Sequence, residues 1–144
     1  MAYCTQADLE DRVSENELIQ MTDDDDTGSV DATRVTNAIA DADAEIDSYC
    51  AGRYSVPFAT VPRIVRKFAV DMAVYHLASR RRGVTEDQQE RYRRAIRFFE
   101  DVSKGNVDLG VQPPPDPPAD DYYSGESQVS VRTKDFDSTT MGKY

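Results

Sequence analysis

Tryptophan is absent from this chain of 144 residues, and histidine occurs once, at His76. Cysteine occurs twice, at Cys4 and Cys50, too few for a disulfide framework or a four-cysteine zinc site. No apolar run approaches the roughly 18 residues of a membrane span, so no membrane association is expected. The first residues lack the basic and apolar regions of a secretory signal. These absences predict a soluble protein that is made in the cytoplasm.

Basic residues are in deficit. The chain has 17 Lys and Arg against 27 Asp and Glu, a net charge of −10 at pH 7. Residues 1–52 hold two bases and fourteen acids, residues 53–104 twelve bases and six acids, and residues 105–144 three bases and seven acids. The overall balance argues against a dedicated nucleic-acid binder. A subunit with one acidic and one basic face attracts a copy of itself head to tail; the alternative is solvated faces or pairing within the subunit.

Helical patterns continue to about residue 104. Thr5 and Ser14 are expected to cap two short helices, and Asp31 a long one whose apolar face is Val35, Ile39, Ala42, Ile46 and Tyr49. After a proline-containing connector, a helix is predicted over 63–81, with Pro62 suited to its first turn. A further helix begins after Thr85 and ends at Gly105. The sequence predicts an all-α fold, a compact bundle of about four helices with an extended C-terminal arm.

The composition changes beyond residue 110, where five of the seven prolines fall within 111–121. The predicted organisation is a helical domain over 1–110, a proline-rich linker over 111–119 and an extended arm over 120–144. A disordered tail without a partner is the alternative. The arm residues expected to bind a neighbour are Tyr122, Tyr123, Val129, Val131, Phe136 and Tyr144.

The acidic run 23–31 partly matches an EF-hand calcium loop. Its first, third, fifth, sixth and ninth positions are Asp23, Asp25, Thr27, Gly28 and Asp31. The twelfth position requires a bidentate Glu, and here it is Arg34. An acidic turn with Asp31 as a helix cap is therefore favoured over a calcium-binding module, and no metal ligand is predicted.

Seven arginines give the second half its basic character: Arg80, Arg81, Arg82, Arg91, Arg93, Arg94 and Arg97. Three interpretations stay open: a helical nucleic-acid binder, a surface for the acidic half of another copy, and a solvated helix face. The second is favoured. It predicts a subunit interface formed by Arg80, Arg81, Arg82, Arg91 and Arg94 with Asp23, Asp24, Asp25 and Asp26.

No catalytic arrangement is recognisable. His76 lies on an apolar stripe and is expected to be a buried, hydrogen-bonded core residue. Cys50 is expected in the core, and Cys4 has no nearby base to activate it. No nucleophile, base and oxyanion donor come together, so neither an enzyme nor a cofactor is predicted.

Three segments carry a resemblance to a known family. The opening MAYCTQADLEDRVSENELIQMTD resembles the start of the Mu-like phage family of small head–tail adaptor, or connector, proteins. AIADADAEIDSYCAGRYSVPFATVP resembles the family's long helix with its Gly-Arg-Tyr…Pro connector, and RYRRAIRFFEDVSKGNVDLG its helix ending in Lys-Gly. Together they cover about residues 1–110; the arm has no counterpart in the resemblance.

The resemblance implies a structural protein at the head–tail junction of the virion. Such adaptors form a twelve-fold homo-oligomeric ring beneath the portal protein, extend the DNA channel and dock neck or tail proteins. Their fold is a helical bundle with extended arms, and the family has no catalytic residues to carry over. Here it implies that the arm contacts the portal or a neighbouring subunit, while DNA passes the acidic lumen without sequence-specific binding.

Overall fold

The computed structural model describes residues 1–81 and 83–111, and within them it contains five α-helices and no strand. The helices are α1 (Gln6–Glu10), α2 (Glu15–Thr22), α3 (Ala32–Cys50), α4 (Arg63–Arg80) and α5 (Glu86–Lys104). The predicted all-α bundle is confirmed, with three long helices and two short ones. Arg82, all but the first residue of the predicted linker, and the predicted arm lie outside the described residues.

Local sequence signals set the helix starts. Helices α1, α2 and α5 begin with capping boxes, in which the cap side chain accepts a backbone N–H and the third helical residue bonds back to the cap. The pairs are Thr5 with Asp8, Ser14 with Glu17, and Thr85 with Gln88. Asp31 caps α3 by accepting from the N–H groups of Thr33 and Arg34. The predicted starts are confirmed, except that Pro62 precedes α4 instead of occupying its first turn.

Helix α4 is the central element. It packs against α1, α2, α3 and α5, so it is buried on more sides than a single stripe predicts. Val65, Val70, Met72, Val74 and Leu77 are all buried. On α3 the predicted face is buried as far as Ile46, whereas on α5 Tyr92 and Ile96 are only partly buried against the core.

The connector between α3 and α4 contributes to the core, which its composition did not indicate. Phe58 is buried, with its ring 5.5 Å from that of Tyr3 and 6.1 Å from that of Tyr54. The Tyr3 hydroxyl accepts the Phe58 N–H at 3.2 Å, and the Tyr54 hydroxyl accepts the Leu109 N–H at 3.1 Å. Three segments distant in sequence are thereby joined at the end of the bundle where α3 ends and α4 begins.

Candidate assembly surface

Two of the predicted interface arginines cap the end of α2. Arg80 Nη2 donates to the Met21 carbonyl at 2.8 Å, and Arg81 donates to the carbonyls of Gln20 and Asp23. The last carbonyls of a helix have no partner within the helix, and cations near them are favoured by the helix dipole. These arginines therefore hold α2 against the end of α4.

The same arginines bind Asp24 within one subunit. Arg34 Nη2 lies 2.7 Å from Asp24 Oδ2, Arg81 Nε donates to Oδ1 at 2.8 Å, and Arg80 donates to both carboxylate oxygens. The hydrogen bond from Arg80 is the foremost reason that the pKa of Asp24 is held well below its ordinary value. We call Asp24, Arg34, Arg80 and Arg81 the arginine clasp. The alternative of pairing within the subunit holds for these residues; their role between subunits stays a prediction.

The remaining carboxylates of the loop do not converge on a common point. Asp23 accepts from the N–H groups of Thr27 and Gly28 at 2.9 and 2.7 Å, and these bonds lower its pKa. Asp31 caps α3, which confirms the acidic turn favoured from the sequence. Among the residues that the structure describes, no group of three or more His, Cys, Asp or Glu is placed to hold a metal ion.

The other predicted interface residues have separate surroundings. Arg91 Nε lies 2.7 Å from Asp87, and its Nη1 lies 3.9 Å from Asp71. Asp25, Asp26 and Arg94 are exposed. The structure thus brings Arg80 and Arg81 to Asp24, and leaves Arg91 and Arg94 apart from that loop.

A buried ion pair was missed by the sequence reasoning. Arg12 Nη2 lies 2.8 Å from Oδ1 of Asp71, whose side chain is 4% exposed. The available signal was an acid inside the apolar pattern of α4, because a buried carboxylate requires a cationic or hydrogen-bonding partner. Arg12, one of two bases in the first 52 residues, supplies it.

A groove lined by cations was also missed. A cavity of about 600 Å³ lies between α1 and the first half of α4, and a second of about 250 Å³ adjoins it, sharing Arg12 and Lys67 as lining residues. Four of its exposed cations, Arg63, Arg66 and Lys67 on α4 and Arg94 on α5, make no ion pair among the described residues. We call these four residues and the two cavities the basic groove.

Five acidic residues also line the basic groove: Asp8, Asp11, Asp71, Asp87 and Glu90. Three of them make ion pairs, Asp71 with Arg12, Asp87 with Arg91 and Glu90 with Arg97. Asp8 is hydrogen-bonded to Thr5 in the α1 capping box, which lowers its pKa. Asp8 and Asp11 make no ion pair among the described residues, so two acids without an ion pair lie beside the four groove cations without one.

The segment before α1 contacts acidic residues of α3. Tyr3 donates its hydroxyl proton to Asp47 and its N–H to Asp43. Burial raises the pKa of Asp43; the hydrogen bond from the Tyr3 N–H opposes this effect, and the nearby Asp47 charge adds to it. Burial also raises the pKa of Cys4 to about 12 and of Cys50 to about 11, so both thiols are protonated at neutral pH.

His76 lies at the edge of the core, not inside it as expected. Its side chain is 25% exposed, and Nε2 lies 3.3 Å from a carboxylate oxygen of Glu45. The Tyr92 hydroxyl donates to the same carboxylate at 2.7 Å, and the Tyr92 ring stacks on Tyr75 at 4.0 Å. The nearby carboxylate of Glu45 comes from α3 and the Tyr92 ring from α5, so the neighbours of His76 along α4 did not indicate them.

No helix in residues 1–81 and 83–111 is long and apolar enough to cross a membrane.

Comparison with known proteins shows to which family the chain belongs. The family model described as "Bacteriophage Mu, Gp36" matches residues 3–127, and the chain belongs to this family. The chain is similar to the "Mu-like prophage FluMu protein gp36" of Haemophilus influenzae, with 37% identity over 83 residues, 58% of this chain and 57% of the relative. It is also similar to "Gene product J" of Escherichia phage Mu, with 33% identity over 85 residues, 59% of each chain. The matched part is thus less than two thirds of either relative's length.

Proposed function

We propose that this phage protein is a structural, non-catalytic component of the virion, a head–tail adaptor. In this proposal, copies form a ring between the portal protein and the tail-side neck or tail proteins and extend the DNA channel. Membership in the Mu Gp36 family supports a phage role. The adaptor role rests on the resemblance of three segments, all of which lie largely within the family match and the helical bundle.

The observation that supports the ring is the presence of unmatched charges of both signs on one subunit. The four cations of the basic groove have no ion pair among the described residues. Exposed acids of the first 52 residues are likewise without an ion pair there: Glu10, Glu15 and Asp41. Unmatched charges of opposite sign on one chain favour a heterologous contact, which closes into a ring when the rotation between copies permits.

The number of copies is twelve by resemblance only, since no residue of the chain specifies it. A net charge of −10 per copy supports an acidic lumen that repels DNA, so that DNA slides through without sequence-specific binding. The arm residues named from the sequence, Tyr122 to Tyr144, are proposed to contact the portal or a neighbouring copy. The resulting location is the head–tail junction of the virion.

Co-assembly with the portal protein of the same phage tests this function. Full-length chain is mixed with purified portal rings and weighed by native mass spectrometry, with portal rings of an unrelated phage as the control. Ring-on-ring complexes with the matching portal alone are the expected result. Absence of any complex at concentrations of both proteins well above the micromolar range would overturn the adaptor proposal.

A nucleic-acid binder is the second candidate, and the basic groove is the observation that favours it. Its four exposed cations are of the kind that neutralise phosphates. A gel shift with duplex DNA at about 50 mM salt tests it, because electrostatic binding is strongest at low salt. We expect no shift, since the net charge of −10 opposes association with DNA.

A further inference from the structure

We propose that the basic groove is the receptor for residues 116–126 of a second copy of this chain. This inference rests on the proposed ring in one respect, namely that copies lie side by side. It assigns a particular surface and a particular segment to that contact, neither of which the family membership specifies.

The positions of the groove cations are unfavourable for the isolated subunit. Arg63, Arg66 and Lys67 lie within the first five residues of α4, and its first turn has no acidic residue. The positive end of the helix dipole repels cations there. Residues that oppose the local stability of their own helix are typical of sites that bind a partner. An anionic partner would relieve the repulsion.

The chemistry of the groove floor favours a peptide over nucleic acid. Between the cations lie Ile64, which is half-buried, and Val70, which is buried. In duplex DNA the bases are stacked inside and the phosphates lie outside, so the duplex backbone places no apolar side chain on such a floor, whereas a peptide with acidic and aromatic side chains fills both parts. The combined volume of the two cavities accommodates several side chains.

The chain itself contains a segment of this composition. Residues 116–126 include four acids, Asp116, Asp120, Asp121 and Glu126, and no base. Between the acids stand Tyr122 and Tyr123, which combine an apolar ring with a polar hydroxyl. The groove cations without an ion pair outnumber the groove acids without one, Asp8 and Asp11, so the groove keeps a positive charge that the acidic segment complements. The segment lies outside the described residues, so the match is one of sequence to surface.

The linker composition gives the acidic segment enough reach for a neighbouring copy. Residues 113–118 contain five prolines, and proline-rich chains favour an extended form of about 3.1 Å per residue. An extended chain of eight residues, the length of 112–119, spans about 25 Å, roughly two helix diameters. This reach is compatible with a segment that binds the copy beside it, and cross-linking decides between the two copies.

A peptide-binding experiment tests the receptor. The protein that carries the basic groove in this test is a full-length variant whose own segment does not compete. Its changed residues, each to Asn or Gln, are Asp116, Asp120, Asp121 and Glu126. A fluorescent peptide of residues 112–127 is titrated at about 50 mM salt and followed by anisotropy. We expect saturable binding, and at least a tenfold loss of affinity when Arg66→Glu and Lys67→Glu are added.

The matched control compares Arg66→Glu alone with Arg93→Glu, which reverses one exposed cation of α5 that does not line the basic groove and makes no ion pair among the described residues. Equal losses in these two single variants would mean that only net charge matters and would overturn the assigned site. Circular dichroism verifies that both variants remain helical. No binding of the peptide to the parent receptor overturns the proposal, even if the portal complex forms. A duplex DNA that binds the same groove more tightly than the peptide overturns it in favour of nucleic acid.

Cross-linking distinguishes the second copy from the first. Full-length chain with a photo-cross-linker at Tyr122 is mixed with unmodified ¹⁵N-labelled chain under the conditions of portal co-assembly. Cross-links from the modified, unlabelled copy to α4 of a ¹⁵N-labelled copy support exchange between copies. Cross-links confined to unlabelled peptides would show that each segment folds back on its own subunit. That result would contradict binding by a second copy and leave the adaptor function intact.

Discussion

Arg12 and Asp71 form an ion pair across the bundle: Nε and Nη2 of Arg12 both donate to Oδ1 of Asp71, at 3.0 and 2.8 Å. The base belongs to the acidic first part of the chain and the acid to the basic second part. The pair therefore fixes the segment after α1 against the middle of α4. Arg91, at 3.9 Å, adds a more distant positive charge.

Arg12→Ala is expected to destabilise the protein by about 2–3 kcal/mol, because it leaves a buried carboxylate without its main partner. This figure lies below the full cost of breaking a buried pair, since the Arg12 side chain is 35% exposed and Arg91 remains nearby. Denaturant unfolding at pH 7 measures the change.

The matched control for this prediction is Arg94→Ala. It removes an exposed arginine with no ion pair among the described residues, so its effect is expected within about 0.5 kcal/mol. Equal effects of the two substitutions would show that the Asp71 contact contributes no more than a surface charge. The variant Asp71→Asn removes the buried charge. Adding Arg12→Ala to it is therefore expected to lower the free energy of unfolding by less than Arg12→Ala does in the parent.

Asp24→Asn is expected to lower stability at pH 7 and to lose this effect in acid. The pKa of Asp24 is held below its ordinary value of 3.8, foremost by the hydrogen bond from Arg80. A carboxyl with a lowered pKa in the folded state stabilises it above the unfolded pKa, and this contribution disappears as the pH falls through the folded pKa. The difference between variant and parent should thus be constant from pH 7 to 5 and shrink below about pH 4.

Denaturant unfolding at pH 7, 5, 4 and 3 follows that difference. Asp25→Asn is the control, because the neighbouring Asp25 is exposed and makes no ion pair among the described residues. A difference for Asp24→Asn that stays unchanged down to pH 3 would be incompatible with the arginine clasp.

Gly105→Ala is expected to cost about 1–2 kcal/mol, because this residue ends α5 with φ +84°, a conformation that L side chains rarely adopt. An added Cβ would also lie 2.7 Å from Nη1 of Arg53, which donates to the Val102 carbonyl. Gly52→Ala is the control, since nothing lies within 4 Å of a Cβ there and its φ is ordinary. Thermal melting compares the two, and a Tm for Gly105→Ala equal to that of Gly52→Ala would refute the strain at the helix end.

Calcium is expected to leave the melting temperature unchanged. Asp24 is engaged by arginines, Asp31 caps α3, and Arg34 stands where the loop needs a bidentate Glu. A site of about 10 µM affinity would raise the free energy of unfolding by about 3 kcal/mol at about 2 mM calcium, so binding would raise the melting temperature measurably. Melts in about 2 mM calcium and in EDTA measure this. A shift of several degrees that Asp23→Asn abolishes would restore the calcium-binding interpretation.

The helices were predictable because their signals are local. Capping pairs three residues apart, such as Thr85 with Gln88, satisfy the first N–H groups of a helix whatever the rest of the chain does. Gly105 likewise ends α5 through its own backbone conformation. The apolar spacing of α3 indicated its buried face correctly, since that helix packs on one side.

The candidate site was predictable only in part. The sequence identified Arg80 and Arg81 as members of a charged cluster, yet their partner Asp24 is more than 50 residues away and on the same subunit. Arg63, Arg66 and Lys67 make no ion pair in the part of the chain that the structure describes, and they drew no attention because their neighbours along the chain are ordinary helix residues. The charge of a residue in the sequence does not show whether that residue has an ion-pair partner in the fold.

The sequence by itself determined where the helices begin and end, the all-α class and the acidic character of the chain. Those properties depend on contacts within a few residues or on composition. The tertiary structure decided which charges are paired. Asp71 pairs with Arg12 and Asp24 with the arginines of the clasp, whereas the four groove cations make no ion pair among the described residues. Ion pairing depends on side chains approaching within about 4 Å, and for residues distant in sequence only the packing of the helices brings that about.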